Sequence, residues 1–249
     1  MDTAQILLMV VAGAGAGLIN TVVGSGSLIT YPVMVMLGVP PVAANISNTV
    51  GLVPGSVAGS WGYRRELGRL RPLLLRLGAA SVAGALIGAF LLTRLPAVTF
   101  SYAVPFLILG AALLVAFQPR IAAAMTPVEG TRWRPLLVVV FLAGIYGGYF
   151  SAAQGIILLG VLGLYLSADL QEQNALKNLL QTLVNIVAAV FFIVTGGVWW
   201  PFAGCVAVGS VIGALAGAWG ARRLPAGFFR VFIVVFGGAM AVYMGWRAF

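Results

Sequence analysis

Lys177, the only lysine of the chain, stands in an apolar stretch among amides. Asn174, Asn178, Gln181 and Asn185 follow 4-3-4 spacing and so share one face of a helix. Lys177 lies about seven residues into that helix, roughly 10 Å deep at 1.5 Å per residue. A cation at such a depth is a functional hypothesis by default, because it could neutralise an anion. The plainer reading is that it snorkels back to the surface or pairs with Glu172 or Asp169, within a lysine reach of about 6 Å. The residues leave both readings open. An earlier helix carries a similar polar opening, with Asn45, Ser47, Asn48 and Thr49.

Two further polar clusters interrupt long apolar runs. The first reads Asn20-Thr21-Val22-Val23-Gly24-Ser25-Gly26-Ser27, and the second runs Gly147-Gly148-Tyr149-Phe150-Ser151-Ala152-Ala153-Gln154-Gly155. Unpaired backbone in hydrocarbon costs several kcal/mol per group, so a broken helix there needs protein or a polar cavity around it. A helix restarting after each break would present its free N–H groups and positive dipole end to the centre, which suits an anion. The alternative is a Gly/Ser kink that only lets helices pack closely.

These residues must be positioned by a membrane bundle. The 249-residue chain is 61% hydrophobic and 8% charged, with a mean hydropathy of +1.08. Soluble domains carry roughly 25% charged residues. Apolar blocks run at 4–38, 42–62, 72–93, 97–118, 135–166, 170–195, 199–221 and 226–247. Six have the length of one spanning helix, whereas 4–38 and 135–166 are too long and contain the polar breaks. Asp2, and the lack of Lys or Arg before the first apolar run, argue against a cleavable signal. With no histidine and only Cys205, His-ligated haem, Cys/His zinc sites, iron–sulfur clusters, intrachain disulfides and Ser-His-Asp chemistry are excluded. Cys205 reads as a small apolar residue. No cofactor is expected and no enzyme.

The two long blocks open two similar halves. Shifting the chain along itself until Gly15 meets Gly144 also lays Gly26 on Gly155, Asn45 on Asn174 and Asn48 on Lys177. Under the same shift, 81–96 and 210–225 match at ten of sixteen positions, ending in Arg-Leu-Pro in both. Charge sets the orientation of the halves. If all eight blocks cross once, with the Arg64–Arg76 loop inside, basic residues divide 9 inside to 5 outside. If the two long blocks are re-entrant hairpins, 12 fall inside and only Arg94 and Arg247 outside. The positive-inside rule selects the hairpins. Each half then has three crossings, so the second half is inverted relative to the first, as in many secondary transporters. The +9 net charge thereby reads as topology rather than as a nucleic-acid footprint. All six tryptophans (61, 133, 199, 200, 219, 246) fall near predicted span ends, as an aromatic belt. Gly84/Gly88 and Gly213/Gly217 are GxxxG pairs for close helix packing. Pro105 should kink its helix, and Arg76 should snorkel to the inner face.

The expectation is an all-α polytopic membrane protein of two inverted repeats, each a re-entrant or broken helical hairpin plus three transmembrane helices. The first repeat is 1–118 (hairpin 4–38, helices 42–62, 72–93 and 97–118). A cytoplasmic linker, 119–134, leads to the second at 135–249 (hairpin 135–166, helices 170–195, 199–221 and 226–247). No Asp or Glu falls deep in a predicted span, which argues against sodium or proton sites built on buried carboxylates. An anion leaving a cell that is negative inside gains about 2.3 kcal/mol per charge per 100 mV and needs no coupling ion.

The run Gly15-Ala16-Gly17-Leu18-Ile19-Asn20-Thr21-Val22-Val23-Gly24-Ser25-Gly26-Ser27, with Pro32 and Gly38-Val39-Pro40-Pro41-Val42-Ala43-Ala44-Asn45, resembles the sulfite exporter TauE/SafE family of bacterial membrane permeases. Gly144-Ile145-Tyr146-Gly147-Gly148-Tyr149-Phe150 and the Ala175–Lys177 helix add to the resemblance, which covers nearly the whole chain. Ser27 departs from the glycine many members carry there and adds a hydroxyl. The resemblance implies transport of a small sulfur-containing anion, sulfite or an organosulfonate, in the bacterial cytoplasmic membrane. The candidate substrate-binding set is Asn20, Thr21, Ser25, Gly26 and Ser27 from the first hairpin, and Tyr149, Ser151 and Gln154 from the second. Asn45, Asn48, Asn174, Lys177 and Asn178 complete it. Export by alternating access is the leading reading; an anion channel or a non-transporting membrane subunit are the rivals. The expected partners are the sulfur oxyanion and the lipid bilayer, with a homodimer left open.

Overall fold

A computed structural model of the chain describes residues 1–123, 130–220 and 226–248. The part of the expected linker that holds Glu129, and the loop with Arg222, Arg223 and Leu224-Pro225, lie outside these described residues. The described chain is helical, in the order α1 (Thr3–Val22), α2 (Ser27–Met36), α3 (Pro41–Gly62), α4 (Arg64–Arg69), α5 (Arg71–Arg94), α6 (Ala97–Ala123), α7 (Trp133–Tyr149), α8 (Gln154–Tyr165), α9 (Leu170–Thr195), α10 (Trp200–Gly220) and α11 (Ala226–Ala248). Five of these are long and apolar enough to cross a membrane: α1, α5, α6, α9 and α10. The burial pattern is that of a protein in lipid. Leu75, Val194 and Trp246 are 81%, 82% and 87% exposed, while Asn48, Gln154 and Lys177 are fully buried.

Local chemistry explains the boundaries. Asp2 and Gln5 form a capping box on α1, and Asp169 and Glu172 form another on α9. Pro41 and Pro72 occupy first-turn positions of α3 and α5. Gly38 and Gly196 adopt φ of 89° and stop α2 and α9.

Three differences from expectation stand out. α1 runs to Val22, so Asn20, Thr21 and Val22 of the expected break are helical. α6 continues to Ala123, so residues 119–123 of the expected linker are helical; Ala122 and Ala123 favour the helix and Pro119 sits within its last two turns. The loop after α3 folds into the short helix α4.

α3 and α9 form the central pair and run antiparallel. Ser60 Oγ and Thr182 Oγ1 share a hydrogen bond of 2.7 Å, and Asn185 Nδ2 donates to Ser56 Oγ at 3.0 Å. At the opposite end of α3, Ser47 Oγ accepts from the Trp199 N–H at 2.8 Å, just past the end of α9. Around this pair the elements cross over: α1 packs on α10, α7 on α5, α10 on α3, α5 on α9, and α6 on α11. Glycines, including Gly84, Gly88 and Gly213 of the GxxxG pairs, seat the closest of these contacts. A methyl group at Gly84 or Gly88 would collide with the α7 backbone, and one at Gly213 with the α1 backbone at Ala14 and Leu18. Tyr31, Phe100 and Phe150 pack edge-to-face around the hairpins, with Tyr31 and Phe150 rings 5.4 Å apart.

Trp61, Trp199, Trp200, Trp219 and Trp246 are all exposed. Half-buried Trp133 takes the Arg76 guanidinium over its ring at 5.1 Å. Arg76 is exposed at that end of α5.

Candidate functional site

The two breaks meet in the middle of the bundle. α1 ends at Val22 and α2 starts at Ser27; α7 ends at Tyr149 and α8 starts at Gln154. The turn of the first uses Gly24 at φ 87°, and that of the second uses Ala153, the equivalent position of the other half, at φ 59°. Ala153 is the non-glycine residue that tolerates the left-handed region here, at a cost of about 1 kcal/mol or more. The tips touch backbone to backbone. The Gly155 N–H donates to the Gly24 carbonyl at 3.1 Å, and a Cβ on either glycine would lie 2.5 Å from the other's Cα. Ser27 Oγ and Ser151 Oγ share a hydrogen bond of 2.8 Å. The N-terminal ends of α2 and α8 thus abut, each bringing the positive end of a helix dipole into a water-excluded centre.

α3 and α9 wrap this junction with amides and hydroxyls. Asn48 Nδ2 donates to Ser27 Oγ at 3.0 Å, and Asn48 Oδ1 accepts from Thr30 Oγ1. Asn20 Oδ1 accepts from Gln181 Nε2 at 2.9 Å and from the Gly26 N–H at 3.4 Å. Asn45 Nδ2 donates to the Tyr149 carbonyl at 2.9 Å. Lys177 is 0% exposed, and its Nζ donates to the Thr21 carbonyl at 3.2 Å. It neither snorkels nor pairs with a carboxylate, because Asp169 and Glu172 are engaged with each other's backbone N–H groups in the α9 cap. Among the described residues the buried polar side chains are hydroxyls, amides and this one ammonium.

Several buried polar atoms here have no protein partner: Ser25 Oγ, both side-chain polar atoms of Gln154, Asn178 Nδ2, Asn45 Oδ1 and Gln181 Oε1. Each such group costs about 1–3 kcal/mol unless something meets it. The unmet Ser25 and Gln154 side chains at two helix N-termini describe a place short of a ligand, where the Ser25 hydroxyl, Gln154 Nε2 and Asn178 Nδ2 are free to donate alongside three unmet amide oxygens.

The expected residues gather with some changes of role. Asn20, Ser25, Gly26, Ser27, Asn45, Asn48, Ser151 and Gln154 line or adjoin the junction, Lys177 reaches it through the Thr21 carbonyl, and Asn178 is buried beside Lys177 on α9. Thr21 and Tyr149 enter through their carbonyls instead of their side chains. Thr21 Oγ1 donates back to the Gly17 carbonyl at 3.0 Å, a local bond a threonine in a last helical turn makes readily. The Tyr149 ring packs on Phe100 at 5.6 Å, drawn into the aromatic cluster. Asn174, one turn before Lys177, lines a cavity nearer the α9 N-terminus. Ser56, Ser60, Thr182 and Thr30 also belong to the polar core and were not anticipated. Ser56 follows Asn45 by about three helical turns and so falls on the same face of α3.

A profile of the family described as "Sulfite exporter TauE/SafE" matches residues 9–244. The chain belongs to the TauE/SafE family. Among its relatives, a "Probable membrane transporter protein ORF9" of Sinorhizobium sp is 27% identical over 238 residues, covering 95% of this chain and 91% of that one. A "Probable membrane transporter protein" of Haemophilus influenzae is 28% identical over 225 residues, covering 88% and 85%. "Probable membrane transporter protein YfcA" of Escherichia coli K12 is 26% identical over 210 residues, covering 82% and 76%. No solved structure matches. Family, relatives and apolar helices together make this TauE/SafE protein a multi-pass membrane transport protein of the bacterial cytoplasmic membrane.

Proposed function

We propose that the chain moves a small sulfur-containing anion, of the sulfite or organosulfonate class, out of the cell by alternating access between two inverted repeats. The observation that carries this reading is the cluster of unpartnered Ser25 and Gln154 at two abutting helix starts, with fully buried Lys177 close by. An oxyanion would meet donors and positive charge there and no carboxylate. The family's name supplies the sulfur chemistry. Inversion is supported by pairs of equivalent positions: the left-handed turns at Gly24 and Ala153, and the hydrogen bond between Ser56 and Asn185, which joins a residue to its own counterpart.

The direct test is thermal stabilisation of the purified protein by sulfite, isethionate, thiosulfate, sulfate and chloride. Free ligand at 100 times its Kd stabilises by roughly 2.7 kcal/mol. Stabilisation by sulfite or a sulfonate well beyond chloride is expected, followed by saturable counterflow in proteoliposomes. Silence toward every sulfur anion would sink the substrate assignment, and single-channel currents would sink alternating access.

A further inference from the structure

Two cavities open at opposite ends of the α3/α9 pair. The first, about 310 Å³, lies where α3 ends and α9 begins and is lined by Val22, Gly62, Glu66, Gln171, Asn174 and Trp219 among others. The second, about 750 Å³, lies where α3 begins and α9 ends, and its walls include Val42, Ile46, Phe90, Arg94, Phe191 and Thr195. Four residues of each wall correspond. Val42 and Gln171, Gly62 and Phe191, Glu66 and Thr195, and Phe90 and Trp219 are each related by the same shift that lays Gly15 on Gly144. Four such coincidences in two small lining sets mark the cavities as one feature used twice. Arg64 and Arg65 follow directly on Gly62 and Tyr63 and put the first cavity on the cytoplasmic side. Val42 lies near the other end of α3, about 30 Å away, on the outer side.

Near each cavity lies a hydrogen bond of the same kind, though not at equivalent positions. In the inner one, Lys177, one turn beyond lining residue Asn174, holds the Thr21 carbonyl next to lining residue Val22. In the outer one, Asn45, next to lining residue Ile46, holds the Tyr149 carbonyl. In both, a side chain of the helix after one hairpin grips the last carbonyls of the first arm of the other hairpin. The two grips differ in charge. A neutral carbonyl is a weaker partner for an ammonium than an anion is.

We infer that the two cavities are the inner and outer vestibules of one route through the junction, closed by the Lys177–Thr21 and Asn45–Tyr149 latches, and that a small anion opens the inner latch by taking Lys177 from the Thr21 carbonyl. The anion step rests on the proposed function; the two-sided route does not.

Cysteines introduced in a Cys205→Ala background test both parts, using a membrane-impermeant thiol reagent on right-side-out and inside-out vesicles. Val42→Cys should react at least tenfold faster from outside, and Gln171→Cys at least tenfold faster from inside. Reaction of both from the same face overturns the paired vestibules whatever the substrate. Deeper reporters then read the latches. Saturating isethionate should speed modification of Val22→Cys and slow that of Ile46→Cys. Adding Lys177→Gln should erase both shifts without changing sidedness, and Lys177→Arg should keep them. Correct sidedness with no response to isethionate, sulfate or chloride overturns the anion-opened latch alone. Shifts that survive Lys177→Gln overturn its assignment to Lys177.

Discussion

α3 and α9 follow the two hairpins, lie against each other, and carry Asn45 with Asn48 and Asn174 with Lys177 at matching positions. On α3 the pair is anchored in the protein: Asn48 bonds Ser27 and Thr30, and Asn45 bonds the Tyr149 carbonyl. On α9 the amide faces a cavity and the ammonium has one carbonyl as its partner. The hairpins do not share this contrast: Ser25 and its counterpart Gln154 both lack a side-chain partner, while Ser27 and Ser151 bond each other across the junction. The difference therefore sits on the two helices, where Asn48 has both polar atoms bonded and Lys177 has one carbonyl. Two equivalent positions, Asn48 and Lys177, are thus held to different degrees by the protein around them.

The sharpest way to break this contrast is Lys177→Met. Charge-assisted hydrogen bonds contribute about 1.5–3 kcal/mol, so apparent anion affinity should fall roughly 10- to 100-fold. The ligand-free protein should melt at a higher temperature, because a buried charge without a carboxylate is replaced by a methionine of similar length. Counterflow and a thermal scan check the two halves of this prediction. Next comes the exchange Asn48→Lys with Lys177→Asn, which conserves composition. It should not restore transport, because the Asn48 site is already filled by Ser27 and Thr30; recovery would show the two sides to be interchangeable.

Gln154→Leu sharpens the comparison further. Removing an orphaned amide should raise stability by about 1–3 kcal/mol in the absence of ligand while cutting the anion-induced shift. Asn48→Ala should do the reverse, lowering stability by about 1–2 kcal/mol as Thr30 loses its acceptor, with a smaller loss of anion affinity than Lys177→Met. Denaturation in mild detergent with and without isethionate distinguishes the two. Ser25→Ala is the mildest, with stability unchanged or slightly raised and affinity down only a few-fold.

Much of the frame was legible in the residues. Pro41, the Asp169/Glu172 pair and the glycines at 38 and 196 mark helix ends with local chemistry, so α3 and α9 begin where their caps say. The junction was legible as a set of polar residue types in apolar runs. Which atom of each residue would serve was not. Thr21 spends its hydroxyl on its own helix, through a rotamer that packing selects. Tyr149 gives its ring to Phe100, a neighbour contributed by the other half of the chain. Ser56 and Thr182 escaped notice because a lone hydroxyl in an apolar helix normally bonds its own backbone. Only the antiparallel pairing of α3 with α9 brings them together.

The glycine-seated contacts of α1 on α10 and of α7 on α5 bear on how the protein is made. When residues 1–123 have left the ribosome, α1 still lacks the partner whose Gly213 receives its backbone, because α10 (Trp200–Gly220) comes much later in the chain. The first hairpin, with its polar tip, must wait in the bilayer until α10 arrives. Two separately expressed segments cut within 124–129 should therefore be degraded singly and survive together, since each holds the docking groove for the other's leading helix.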